Sequence, residues 1–250
     1  MNRRFTRLTA AAFVAVTGAA IGFVAPAAGQ SGDLSSNFSG GSSGSVCPPA
    51  VEVSPDSTAG WINLDGRRPD FVEGPGRPSG DGSIELTTSD DPNDRVNYTH
   101  FGYLRPLSEV ADGKLGWTYW GAVAFQLTIY RAIGGGTGGY STLRFEPAQY
   151  PEEWTTDNDL AAGNWLSTRD IAGAPVNTYA TLHEISQANP DAVVASLAVQ
   201  VGSGQPNATA YVDTIQYGCD KWEFEPTVLD TGSNGSGGST VINGGNGSGG

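Results

Sequence analysis

Two carboxylates stand two residues apart in Trp222-Glu223-Phe224-Glu225. On an extended strand that spacing puts both on one face, roughly 7 Å from each other. This is near the separation at which glycosidases place their acid and base. The pair lies beyond the second cysteine and runs directly into Pro226, a poor place to bury an acid and raise its pKa. It reads better as an exposed terminal strand. His100 and His183 are the only imidazoles, and neither has a cysteine or histidine neighbour at metal-ligand spacing. A zinc site or a Ser-His-acid triad therefore has little to build on, and both histidines read as surface or helix-packing residues. Asp90-Asp91-Pro92-Asn93-Asp94 and Asp157-Asn158-Asp159 offer oxygen ligands of the type calcium takes, without the EF-hand spacing. Asp and Asn also dominate turns for conformational reasons. Gly134-Gly135-Gly136 and Gly138-Gly139 are followed by no lysine or helix, so they read as a mobile hairpin tip and not a phosphate cradle.

The aromatic inventory is richer. Trp117, Tyr119 and Trp120 fall in one strand, and Tyr130, Tyr140, Trp154 and Trp165 fall in or near others. Alternation sends Trp117 and Tyr119 to one face and Trp120 to the other. If Trp120, Tyr130 and Trp154 or Trp165 share the outward face, they form a platform on which neutral sugar rings stack, with nearby Asn, Gln and Asp reading hydroxyls. The competing reading is that these rings fill a large core.

The elements that must position them are strands. From Ala122 to Tyr130, Val123, Phe125, Leu127 and Ile129 alternate with Ala124, Gln126, Thr128 and Tyr130, the period-two signature of a sheet with one buried face. Similar runs occupy Ser83 to Thr87, Lys114 to Trp120, Thr142 to Glu146, Ser196 to Val201 and Thr209 to Tyr217, separated by Gly, Pro, Asn and Asp clusters. One segment differs. Thr178 to Ala188 puts Tyr179, Leu182 and Ile185 on one face, with Asn177 or Thr178 as cap and Asn189-Pro190 as stop, and predicts a short helix. The fold class is all-β, a jelly-roll β-sandwich with one short helix.

Arg3, Arg4 and Arg7, the apolar run from Leu8 to Val24 and the small residues Ala25-Pro26-Ala27-Ala28-Gly29 have the layout of a secretory signal over 1–29. Residues 30–46 read as a Ser/Gly-rich linker, 47–226 as the sandwich domain and 227–250 as a Gly/Ser/Asn-rich flexible tail. Removing 1–29 takes away three of the 13 basic residues and none of the 26 acidic ones, leaving a net charge of −16. Such a field repels phosphate backbones and anionic lipid, which argues against nucleic-acid partners and membrane-surface binding. After signal removal nothing inserts in a membrane. Cys47 and Cys219 are the only cysteines, and an oxidising destination predicts a bridge between them. Lying just before the first strand and just after Tyr217, they would tie the opening and closing strands together.

Several phrases add a likeness: Gly60-Trp61, Gly74 to Ser83 running into Ile84-Glu85-Leu86, Leu143-Arg144-Phe145-Glu146-Pro147, Ala162 to Arg169, and Ala210-Tyr211-Val212-Asp213. In this order the chain resembles a group of uncharacterised secreted bacterial jelly-roll proteins, which implies the fold and carries no catalytic residues across. Tyr211-Val212-Asp213 also resembles the last strand of jelly-roll carbohydrate-binding modules, where an acidic residue helps hold a structural calcium. That likeness makes Asp213 the candidate calcium ligand. No cofactor is otherwise required. The expectation is a secreted, non-catalytic binding domain acting at or outside the cell envelope, with an extracellular or envelope glycan as first partner. An extracellular glycan hydrolase and a structural cell-surface or matrix component are the alternatives.

Overall fold

The computed structural model describes residues 47–75, 82–147, 149–202 and 204–226; the segments read as signal, linker and tail lie outside them. Among the described residues thirteen strands follow one another: β1 Val51–Val53, β2 Trp61–Gly66, β3 Asp70–Val72, β4 Ser83–Thr87, β5 Val96–Pro106, β6 Leu115–Gly121, β7 Ala124–Tyr130, β8 Ser141–Phe145, β9 Thr155–Asp157, β10 Trp165–Ser167, β11 Val193–Val201, β12 Thr209–Tyr217 and β13 Asp220–Phe224. They divide into a seven-stranded and a six-stranded sheet.

The winding is that of a jelly roll. In one sheet β12 lies between β4 and β6, and β9 continues beyond β6. In the other, β11 lies between β5 and β7, with β8 beyond β7. Consecutive strands β4/β5, β6/β7, β8/β9 and β11/β12 thus switch sheets, so two Greek keys wrap one core. The expected all-β sandwich is what the chain forms. Strand bounds read from alternation match at β4 and β12, and fall within three residues at β6, β7, β8 and β11.

Inward residues of both sheets make the core. Phe125, Leu127 and Ile129 of β7 face Ile84 and Leu86 of β4 and Val212 and Ile215 of β12, all fully buried. Two aromatic groups fill the space. Trp117 stacks on Tyr119 and meets Phe125 and Phe145 edge-on. Trp61 stacks on Tyr98 and meets Trp222 and Phe224 edge-on. Gly60 illustrates how sequence serves this packing: its φ is +87°, and a Cβ there would sit 2.7 Å from the His100 ring. Only glycine leaves the imidazole its place.

The disulfide Cys47–Cys219 is formed. It holds β1 beside β13, where the two strands pair in parallel with Val53 opposite Phe224. This corrects the expectation of an exposed terminal strand. β13 is flanked by β1 and β12, and Trp222, Phe224 and Glu225 are buried. Two apolar side chains at alternate positions found core to fill beyond the cysteine, and the parallel partner covered what would have been an edge.

Two α-helices are present among the described residues where one was expected: α1, Leu107–Asp112, and α2, Leu182–Ala188. They pack on each other. α2 begins later than predicted because Thr181, not Asn177 or Thr178, is the cap. Its hydroxyl accepts from Glu184 N at 3.1 Å while the Glu184 carboxylate accepts from Thr181 N at 2.8 Å, a reciprocal capping box. Tyr179 therefore precedes the helix and is 59% exposed, while Leu182 and Ile185 are buried as expected. The glycine-rich tip after β7 is not loose. Gly135 N donates to Asp170 O and Ala172 N to Ile133 O, both at 2.8 Å, so backbone bonds pin it to the loop after β10.

Candidate functional site

The outer surface of the seven-stranded sheet carries an aromatic corner. Register places Tyr211 of β12 between Trp120 of β6 and Glu85 of β4, all pointing away from the core by alternation. Trp154, just before β9, leans over the same spot. Its ring lies 6.1 Å from that of Trp120 at 87° and 6.4 Å from that of Tyr211 at 56°, and Trp120 and Tyr211 are 6.5 Å apart. The three rings stand at steep angles, so they form a notch and not a flat shelf. Trp154 Nε1 donates to Pro75 O at 3.1 Å, which fixes its indole. Burial first, and the hydrogen-bonded Glu85 carboxylate second, push the Tyr211 hydroxyl up to about 12. It stays protonated at neutral pH.

A polar groove continues from this corner along the strands. One alternation further on, roughly 7 Å away, Thr214 pairs with Thr118 and Thr118 with Thr156; the Thr118 and Thr156 hydroxyls are 3.0 Å apart. The next row brings Gln216 opposite Gly116 and Lys221. A hollow of about 210 Å³ opens among these residues and Asn158. Gly116 helps create it: a Cβ there would meet Asp157 O at 2.7 Å, so β9 approaches closely only because no side chain stands between. Lys221 Nζ donates to Glu223 Oε1 at 2.6 Å beside the groove. Rings at one end, hydroxyls and an amide along the floor and a neutralised ion pair at the side are groups that stack on and hydrogen-bond to neutral polyhydroxylated molecules.

No family model matches the chain, and no curated protein matches its sequence. Solved structures do. A family 16 carbohydrate-binding module matches at 10% identity and a TM-score of 0.33, over 62% of this chain and 88% of that one. A family 61 module solved with β-1,4-galactotriose matches at 12% and 0.29, over 61% and 83%. A family 28 module described as specific for non-crystalline cellulose matches at 9% and 0.34, over 68% and 99%.

Of the four aromatic residues expected to share a platform, the structure brings together Trp120 and Trp154 alone. Trp165 is fully buried: alternation in β10 turns it inward, where it packs on Phe125 and Phe145 and donates from Nε1 to Leu160 O at 2.7 Å. Tyr130 is outward but on the opposite sheet, against Tyr140 at 5.5 Å. Tyr211 takes the third place. Its outward direction follows from alternation with Ala210 and Val212, but its meeting with Trp120 depends on cross-strand register, which no local pattern encodes.

Asp213, the expected calcium ligand, is the extra residue of a β-bulge. Val212 pairs with Tyr119 and Thr214 with Thr118, so the ladder skips Asp213, which is fully buried. Among the described residues no group of three or more His, Cys, Asp or Glu side chains is arranged to hold a metal. The acidic clusters are spent on turns: Asp91 Oδ1 accepts from Asn93 N at 2.8 Å, Asp94 Oδ2 from Ser89 N at 2.7 Å, and Asp157 Oδ1 from Asp159 N at 3.2 Å.

The two histidines part company. His183 lies exposed on α2, 3.5 Å from Asp112 and 2.7 Å from Gln187. His100 is half-buried. It lies against Trp222 and Trp61 with Nε2 2.9 Å from Ala59 O, and burial drives its pKa below the ordinary histidine range despite that bond. Among the described residues no helix is long and apolar enough to cross a membrane.

Proposed function

We propose that this protein is an extracellular glycan-binding domain whose outer seven-stranded face holds a neutral sugar chain. The aromatic corner of Trp120, Tyr211 and Trp154 stacks on one ring, and the groove floored by Thr118, Thr214 and Gly116 takes the next, with Gln216 and Asn158 reading hydroxyls. The observation that carries this reading is the continuity of corner and groove on one sheet face. The disulfide supports an oxidising location, as do the signal-like residues 1–29, and the excess of acidic residues favours a neutral ligand over an anionic one.

A glycan array followed by calorimetry with the best oligosaccharide tests it. Replacing Trp120 by Ala removes one stacking face, worth about 1 kcal/mol, and weakens binding by roughly tenfold or somewhat less. Gln216→Ala weakens it a few-fold, while Tyr130→Ala, on the opposite sheet, leaves it unchanged. Absence of binding to any neutral glycan, or equal affinity in Trp120→Ala, defeats the reading.

A further inference from the structure

The six-stranded sheet carries its own hollow on the opposite side of the molecule. Its outer surface presents Ala124 and Gln126 from β7, Arg144 from β8, and Ala198 and Gln200 from β11. In register Gln126 stands between Ala198 and Arg144, and Gln200 stands opposite Ala124. Alanines set among long polar chains make the surface dip. The resulting recess of about 250 Å³ has Ala124 in its lining with Arg144, Glu146, Tyr150, Gln200 and Gln205 around it.

These polar groups hold one another in place. Gln126 Nε2 donates to Gln200 Oε1, Gln205 Nε2 to the Tyr150 hydroxyl at 2.9 Å, and Gly202 N to Gln205 Oε1 at 3.4 Å. Arg144 is ion-paired with Glu146. Positions fixed this way are ready to receive a ligand without first being ordered. One donor is left over: Arg144 Nε is buried and has no acceptor among the described residues, a state that folded proteins rarely leave uncompensated.

Charge selects the occupant. Glu146 already meets the Arg144 charge, so the recess is near neutral, and the net charge of −13 disfavours an anion. The lining offers amides, a guanidinium, a carboxylate and a phenol, but little apolar surface. A guanidinium and carboxylate side by side donate to and accept from neighbouring hydroxyls of one ring. We propose that this recess is a second binding site that takes a single neutral, hydroxyl-rich sugar ring. It differs from the aromatic corner in face, in chemistry and in the length of ligand it holds, and does not depend on that corner being occupied.

The test is ¹⁵N NMR of the whole protein titrated with glucose, galactose, mannose and xylose, with galacturonate as the anionic probe. The signals followed are the Arg144 Nε–H and the side-chain amides of Gln126, Gln200 and Gln205. At least one neutral sugar should shift them saturably with a dissociation constant on the order of 1 mM. Trp120→Ala should leave those shifts unchanged, whereas Gln200→Ala should weaken binding about tenfold. Arg144→Gln should abolish the response; if that variant does not fold, the substitution at the partly exposed Gln200 decides the matter. The proposal is overturned if no neutral sugar gives a saturable shift, if galacturonate alone does, if Gln200→Ala binds as well as the parent, or if Trp120→Ala removes the response.

Discussion

Replacing both Cys47 and Cys219 by serine removes a link that closes 172 residues of chain. In the chain-entropy account, opening a loop of that length returns to the unfolded state a freedom worth about 5 kcal/mol. The structure shows where the native state feels it. Beyond the bridge, β1 is held by three register pairs with β13, by a 2.8 Å bond from Glu225 N to Val53 O, and by the buried Val53 side chain. These contacts remain in the variant, so the sandwich should still fold. For a domain of this size a loss of that magnitude lowers Tm by roughly 10–20 °C. Equilibrium urea unfolding of the two proteins measures it directly, and hydrogen exchange should show the amides of β1 and β13 opening before those of β11. A stability difference below about 1 kcal/mol would refute the reasoning, because the link would then constrain nothing that the folded contacts do not already constrain.

Two further outcomes follow from the core. Because burial lowers the His100 pKa, the unfolded chain binds that proton more readily; the stability supplied by the neutral ring is complete above the unfolded value of 6.5 and declines as pH falls below it. His100→Phe, which keeps a ring in place, should therefore lose less Tm than the parent between about pH 7.5 and pH 5.5, and parallel losses would contradict the assignment. Gly60→Ala forces a side chain into left-handed backbone and onto the His100 ring. It should cost about 1–3 kcal/mol in urea unfolding, and a neutral result would mean the β2 turn relaxes freely.

Much of the architecture was legible because jelly-roll strands with one wet face alternate. Ser83–Thr87 and Thr209–Tyr217 are bounded by turn residues and read off directly. β5 was harder, since the chain bulges between Phe101 and Arg105, where Gly102 has φ +104° and Tyr103 packs on Tyr217. Such a bulge breaks period two. α1 spans six residues, too few to display helical periodicity. The site was only half legible. Alternation sends Trp120 outward, but whether Tyr211 or Tyr130 stands beside it is decided by which strands become neighbours. Trp165 shows the complementary failure, since a three-residue strand contains too little pattern to say which way an indole turns.

The parallel alignment of β1 with β13 behind a covalent bridge also dictates how this molecule would bear a load. A pull applied upstream of Cys47 and downstream of Pro226 is carried across the sulfurs to Cys219 and on through residues 220–226 alone, bypassing everything between the cysteines. Tension would run lengthwise along a segment that is already extended and clasped on both flanks, where ladder bonds must shear together instead of unzipping singly. The recess on the six-stranded sheet lies outside that path, whereas Lys221 on the wall of the groove lies on it, so stretching the chain would spare the first and load one side of the second.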